Sequence, residues 1–241
     1  MFYQKAGKKK KEERRKKKEQ RTEIKNNNLK INIMTRIITF IAIFVISVVT
    51  AQAQYEKGMQ DALTLWKQDK PTEAIALFER IASVEEQNWL PNYYIALINT
   101  TESFRNMNDK AKVKTLLDEA QKAQDKMNRV ALDNPEVLVM QAMIHTAWIV
   151  YDPMTNGQKL SGDVMYIYNK AYKIAPENPR VVFQKASYEI GMAAYFGQDT
   201  KPMCAQLEKA IELFANFKPE TPFHPTWGLE RAQEELGKCN K

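Results

Sequence analysis

The chain has 241 residues and a formal net charge of +7, but the positive charge is confined to one end. Residues 1–53 carry 14 Lys and Arg against 4 Asp and Glu, whereas residues 54–241 carry 22 against 25. Because a protein that binds a phosphate backbone needs clustered cations, the mildly acidic body argues against nucleic acid as a partner. The body is long enough for one domain with a hydrophobic core, and its scarcity of Gly and Pro favours helix.

Residues 1–33 form a basic, low-complexity extension. One interpretation is a disordered arm that binds RNA or a membrane surface. We favour a mis-assigned translation start, because residues 34–53 have the parts of a secretory signal peptide. Arg36 follows the new start at Met34, residues 37–49 are apolar, and Ala51-Gln52-Ala53 is a small-x-small cleavage motif. Cleavage is therefore predicted between Ala53 and Gln54.

Cleavage at this position would release a protein into the periplasm or outside the cell. The apolar run is shorter than the roughly 20 residues of a membrane-spanning helix. Anchoring by an uncleaved segment, residues 37–50, is the alternative. Position 54 is Gln and not Cys, so we do not expect a lipid-attached lipoprotein.

Apolar residues recur at steps of three and four along the body, which predicts helix throughout. The predicted helices cover about 55–68, 71–87, 91–105, 110–131, 135–151, 163–175, 179–196, 203–214 and 225–238. Residues 152–162, between the fifth and sixth helices, are predicted to form the longest loop of the body.

Prolines open several of these helices at a regular interval. Pro91, Pro135 and Pro179 lie 44 residues apart, and Pro225 follows 46 residues later. Asn178 is a favourable N-cap, and a proline is tolerated in the first turn that follows. A period between 20 and 50 residues is typical of a solenoid, in which stacked hairpins bury faces that one hairpin cannot bury alone.

The turn Pro176-Glu177-Asn178-Pro179 resembles the exit of the second helix of a tetratricopeptide repeat. Residues 207–213, and Ala74-Ile75 with Phe78, are similar to other second helices of that family. The closing segments 196–202 and 217–225 resemble those of small secreted members without assigned activity.

This resemblance implies an all-α fold, a right-handed α-solenoid of about four helical hairpins plus a C-terminal capping helix. The predicted domain covers residues 54–241, with units at about 55–88, 90–132, 135–176 and 179–217 and the cap at 225–238. These units are about 10 residues longer than the family's usual 34.

The two cysteines are Cys204, near the start of the eighth helix, and Cys239, just after the ninth. If these helices are antiparallel, the two sulfurs meet at one end of the pair, and an oxidising compartment favours a disulfide. Two free buried thiols are the alternative. A nucleophile formed by Cys204 and His224 is conceivable, but disulfide pairing would forbid it.

We expect no catalytic centre, metal site or cofactor, since no motif for one is present. His145 is expected to pack within the stack, and His224 to serve in a turn, whereas a metal site needs three or four matched ligands.

The 44-residue period and the absence of catalytic motifs favour a protein or peptide partner in the concave groove, with membrane contact only through an uncleaved signal segment. Tyr and Trp suit such interfaces because they combine a large apolar area with a polar tip. The candidate binding residues are Tyr93, Tyr94, Asn99, Trp148, Tyr151, Tyr188 and Tyr195. The alternative is a small-ligand or glycan-binding protein that uses the 152–162 loop and nearby aromatic residues.

Overall fold

A computed structural model of the chain describes residues 14–19, 21, 25, 34, 36 and 52–239. The chain divides into two units, Met1–Glu56 and Lys57–Lys241. In the first unit, residues 14–19 are helical, and Arg15 Nε lies 3.4 Å from a Glu19 carboxylate oxygen. Most of the predicted extension and signal peptide, including Ala51, lies outside the described residues. Ala53 and Gln54 are helical.

Helices account for all the regular structure of the described residues, so the predicted all-α class is confirmed. The helices are α1 (52–67, of which the part from Lys57 onward belongs to the second unit), α2 (Pro71–Val84), α3 (Trp89–Arg105), α4 (Lys110–Ala131), α5 (Pro135–Tyr151), α6 (Pro153–Ile174), α7 (Pro179–Tyr195), α8 (Lys201–Asn216) and α9 (Leu229–Cys239). None of the described helices has both the length and the apolar character needed to cross a bilayer.

The helices pack as a stack of hairpins. α3 contacts α4, α5 contacts α6 and α7 contacts α8, and each pair is joined by a short turn that reverses the chain. α3 also contacts α5, and α5 contacts α7, so these three form a continuous inner row. This consecutive packing fits the predicted solenoid arrangement. α9 packs against α8 and α7 at the end of the stack.

Asparagine caps open the three inner helices. The side chains of Asn88, Asn134 and Asn178 accept hydrogen bonds from backbone N–H groups in the first turns of α3, α5 and α7. Pro135 and Pro179 are the first residues of their helices, where their missing N–H costs nothing. The fourth predicted opening is wrong, because α9 begins at Leu229 and residues 217–228 form an irregular segment that contains Pro225.

The predicted loop at residues 152–162 is also wrong, because α6 begins at Pro153. Asp152 caps this helix by accepting a hydrogen bond from the Thr155 N–H. Two glycines, at 157 and 162, lie inside the helix, and each lowers helix propensity by about 1 kcal/mol relative to alanine. Packing against α5 offsets this weakness, and the Asn156 side chain donates a hydrogen bond to the Trp148 carbonyl at 2.7 Å.

The predicted disulfide is confirmed. Cys204 at the start of α8 is bonded to Cys239 at the end of α9, with their Cα atoms 6.0 Å apart. Both cysteines of the chain are consumed, which excludes Cys204 as a thiolate nucleophile. The only residue of α9 that is fully buried is Ala232, so apolar packing alone holds this helix weakly. A crosslink over a loop of this size contributes about 3 kcal/mol.

The 44-residue period places an ion pair inside the core. Glu136 and Arg180 each follow the opening proline of their helix, and their side chains are 1% and 0% exposed. Arg180 donates from Nε to one carboxylate oxygen at 2.8 Å and from Nη2 to the other at 2.6 Å. The Asn178 side chain donates to the same carboxylate at 2.7 Å, and His224 Nε2 lies 3.6 Å from it.

These contacts keep the buried carboxylate charged. Burial by itself would raise the pKa of Glu136, but the polar contacts of His224, Arg180 and Asn178 outweigh it and lower the pKa to about 2. The Arg180 guanidinium also lies 4.5 Å from the centre of the Phe217 ring, a cation–π distance. The ion pair therefore joins α5, α7 and the irregular segment 217–228.

Replacing Glu136 with Leu is expected to lower the free energy of unfolding by about 3–5 kcal/mol, because Arg180 would remain buried without a counter-charge. The double variant Glu136→Leu with Arg180→Met should regain most of this loss, since an apolar pair then replaces both charges. Urea unfolding of the two single variants and the double variant measures the coupling. A double variant whose loss of unfolding free energy equals the sum of the two single-variant losses would contradict a coupled ion pair.

The same pair predicts a pH dependence. The pKa of Glu136 falls from an ordinary value of 4.5 to about 2 on folding, so its contribution is complete above pH 4.5 and is lost as the pH falls towards 2. The wild type should therefore lose about 3 kcal/mol more stability across this window than the double variant, in which this carboxylate is absent. If the free energy of unfolding, measured by chemical unfolding, falls in parallel with pH in the wild type and the double variant, Glu136 is not the source of this pH dependence.

Candidate ligand-binding surface at one end of the helix stack

The irregular segment covers part of the inner row of helices. We call residues 217–228 the strap. The Tyr94 hydroxyl donates a hydrogen bond to the Phe223 carbonyl at 2.9 Å, and Trp227 Nε1 donates to the Tyr93 hydroxyl at 2.9 Å. With Phe217 under Arg180, the strap reaches the N-terminal parts of α7, α5 and α3. The chain itself therefore occupies the part of the inner face where a partner was expected.

Three of the predicted groove residues are core residues instead. Tyr93, Tyr94 and Asn99 are all buried, so their assignment to an open binding surface is wrong. The two tyrosines pack against each other with ring centres 5.6 Å apart and hold the strap. Asn99 Nδ2 donates to the Ile95 carbonyl at 2.9 Å within α3. Their exclusion from solvent follows from the neighbours of α3, which has helices on both sides and the strap beside it.

Three further candidates are partly or fully enclosed by neighbouring helices. Trp148 and Tyr151 are half-buried, with ring centres 5.4 Å apart, and pack against a small core between α4 and α5. Tyr188 is buried beside Tyr168, and its hydroxyl donates to the Ser161 carbonyl at 3.3 Å. The structure places only Tyr195 of the seven on the open surface, where it is 69% exposed.

Five of the nine large apolar side chains that are exposed in residues 57–239 lie where the inner helices end, whereas Val84, Leu132 and Ile174 lie at the ends of the alternate helices. α3, α5 and α7 run in the same direction, since one reversing helix separates each from the next, so their C-terminal ends lie at one end of the stack. We call this surface the apolar end. Its members are the large exposed apolar residues of these helix ends and of the start of α6: Phe104, Val150, Met154, Tyr195 and Phe196. Exposed apolar clusters of this kind mark binding sites.

Aromatic pairs and cations shape the apolar end. The rings of Tyr195 and Phe196 meet edge to face, with centres 5.2 Å apart, and Phe196 is 63% exposed. Lys110 donates a hydrogen bond to the Tyr151 carbonyl, and its Nζ lies 4.4 Å from the centre of the Tyr151 ring. Arg105, at the end of α3, is already paired with Glu102 at 2.8 Å and Asp69 at 3.4 Å, so Lys110 is the cation left for a ligand here. Aromatic side chains and a cation suit a flat apolar ligand that carries an anionic group.

Sequence reasoning missed most of the apolar end. Met154 is 85% exposed, but it is not among the predicted binding residues because residues 152–162 are predicted to form a loop. The helix ends themselves carry a signal, since Met107, Tyr151 and Tyr195 follow the same 44-residue period as the prolines, although only Tyr195 of the three belongs to the apolar end. The buried polar cluster was missed as well, although Glu136 and Arg180 also lie one period apart.

The two histidines have different surroundings. His145 is half-buried on α5, and burial lowers its pKa, while the nearby Asp163 acts in the opposite direction. His224 lies in a turn, as predicted, with its backbone N–H donating to the Thr221 carbonyl at 3.1 Å, and its side chain is buried against Glu136 and the ring of Trp89. Within the described part of the chain, His, Cys, Asp and Glu side chains form no group of three or more that could hold a metal ion.

Comparison with known proteins identifies a structural neighbour but no sequence family. No protein-family model matches the chain, and no curated protein matches its sequence. The structure is similar to that of the HusA haemophore from Porphyromonas gingivalis, with a TM-score of 0.67 and 23% sequence identity. The match covers 77% of this chain and 92% of the haemophore. At this level of identity, the likeness establishes a shared helical fold.

Proposed function

We propose that this protein is a secreted helical binding protein whose ligand is a flat, apolar molecule with carboxylate groups, of the tetrapyrrole class that includes haem. The observation that carries the proposal is the apolar end, where Tyr195, Phe196 and Met154 are exposed and Lys110 lies over the ring of Tyr151. The fold shared with a haemophore supports the choice of ligand class.

The side chains at the apolar end suit both parts of such a ligand. A planar ring system packs well against the Tyr195–Phe196 pair, because aromatic rings favour offset and edge-to-face contacts with one another. Lys110 forms no ion pair within the described residues, so it is available to a ligand carboxylate. Tyr hydroxyl and Met thioether groups are donors that haem iron accepts in proteins, and Tyr195 and Met154 present one of each.

The remaining features of the proposal concern location and ancestry. We propose that residues 34–53 direct export and are removed after Ala53, and the disulfide supports an oxidising destination. We further propose that the hairpins are diverged tetratricopeptide repeats and that the protein has no enzymatic activity. The 44-residue spacing of the opening prolines and the stacked inner row support the repeat origin.

Titration with haem and with iron-free protoporphyrin IX tests the function, with absorbance of the ligand and quenching of tryptophan fluorescence as readouts. The variant Tyr195→Ala/Phe196→Ala should weaken binding of both at least tenfold, about 1.4 kcal/mol or more, because two aromatic contacts are lost. Met154→Ala should weaken haem more than the iron-free ring if the thioether contacts iron.

Tyr166→Ala is the matched control, because Tyr166 is also 69% exposed but lies on α6 beyond its N-terminal turns. This variant should bind both ligands as the wild type does. Failure of the wild type to bind either ligand, or equal losses in the control and in the double variant, would overturn the proposal.

A protein partner is the second candidate, and the strap changes where it would dock. Since residues 217–228 fill part of the inner face, we place such a partner on the apolar end instead of in the groove. Crosslinking in the native envelope should then recover one protein with the wild type and with Tyr166→Ala, but not with Tyr195→Ala/Phe196→Ala. Equal recovery by all three proteins would contradict docking at the apolar end.

A further inference from the structure

We propose a second, separate binding site for a small amphipathic monocarboxylate in a pocket between α6, α7 and α8. The pocket has a volume of about 370 Å³, within the range of small-ligand sites. It is formed by Val182 and Ala186 of α7, Tyr172 of α6, and Pro202 and Met203 of α8, among others. The pocket residues of α7 run from Val182 to Glu189, six positions or about 9 Å along the helix before Tyr195, and no member of the apolar end lines the pocket.

The lining of the pocket is mixed, since Lys185, Glu189 and Gln206 accompany the apolar residues, and its apolar part is firmly placed. Val182 and Ala186 belong to the core cluster that also contains Leu207 and Ala210 of α8, and Tyr172 packs against the same cluster. The thioether side chain of Met203 adapts readily to the shape of an apolar ligand. These groups can bury a short hydrocarbon chain or a single ring, which sets the chemistry of the ligand's body.

The charges at the pocket determine the ligand's polar group. Lys185 and Glu189 both line the pocket and form an ion pair with each other one helical turn apart, so together they add no net charge. Lys209, one turn along α8 from the pocket residue Gln206, forms no ion pair within the described residues. Its Nζ lies 3.3 Å from the Tyr172 hydroxyl and 5.5 Å from the centre of that ring.

Tyr172 lines the pocket and Lys209 reaches it from outside the lining, so an ammonium group and a phenolic O–H lie side by side next to the pocket. A carboxylate can accept a hydrogen bond from each, and a charge-assisted bond to Lys209 is the stronger of the two. One uncompensated cation matches one negative charge, so a monocarboxylate fits better than a phosphate or a dicarboxylate. An alcohol of the same length would keep the apolar contacts and lose the ionic one.

Isothermal titration calorimetry with octanoate tests this site, with 1-octanol as the uncharged control ligand. Octanoate should bind the wild type, and Lys209→Met should weaken it at least tenfold, as expected for a hydrogen bond between charged groups. Tyr172→Phe should weaken it by a smaller factor. Lys126→Met removes the same charge from an exposed position on α4 and should leave octanoate binding unchanged.

Location is read independently from the methyl resonances of Val182, Ala186 and Met203, which should shift when octanoate is added. Shifts confined to other methyl groups, equal binding of 1-octanol, or equal weakening by Lys209→Met and Lys126→Met would each overturn the proposal. Protoporphyrin IX should not compete with octanoate. Competition would assign both ligands to one site and refute the second site. If the wild type binds octanoate but no porphyrin, that result counts only against the proposed function of the apolar end.

Discussion

The buried ion pair between Glu136 and Arg180 is the interaction on which the arrangement of the hairpins depends. Two charges removed from water are costly, and only close contacts with each other and with polar neighbours offset that cost. Both oxygens of the carboxylate are engaged, by Arg180, Asn178 and the nearby His224. A shift of α7 along α5 by even one turn would leave both charges unpaired in the core. The pair therefore fixes how the α5–α6 hairpin and the α7–α8 hairpin stack.

The strap extends this constraint to the rest of the inner row. Its residues contact Arg180, Glu136 and the two tyrosines of α3, so one irregular segment joins three inner helices. The strap is held at its far end by α9, which the disulfide ties to α8. At the junction of strap and α9, Gly228 has a φ of +119°, and a Cβ there would lie 2.6 Å from the Phe214 ring. Only glycine fits that position without displacing Phe214.

Filling the inner face changes which surfaces are open to ligands. In a stack of hairpins the inner row is the usual place to look for a bound peptide, yet here its N-terminal part is core. The exposed chemistry lies instead at the C-terminal ends of the inner helices and in the pocket beside α8. A shared helical fold does not by itself assign a ligand, because function resides in the side chains of a site. For this chain, the proposed ligand class is inferred from the aromatic and cationic groups of the apolar end.

Much of the fold could be predicted from the sequence, because local signals are strong in helices. The apolar spacing gave the helices α2 to α5, and the Asn-Pro turns marked the starts of α5 and α7. The disulfide followed from two cysteines at the ends of neighbouring helices. Local signals failed where tertiary contacts compete with them. Residues 152–162 have the composition of a loop, but packing on α5 makes them helical, and Pro225 has no helix to open because the strap uses its segment.

The candidate sites depended much more on the tertiary structure. The sequence by itself determined that aromatic residues are abundant and that some recur every 44 residues, since these are properties of the chain order. Whether such a residue is buried depends on what packs beside it. Tyr94 and Tyr195 are the same residue type on inner helices, yet Phe78 of α2 and the strap cover the first, and solvent surrounds the second. That difference arises from contacts between residues 16 and 129 positions apart, which no local pattern encodes.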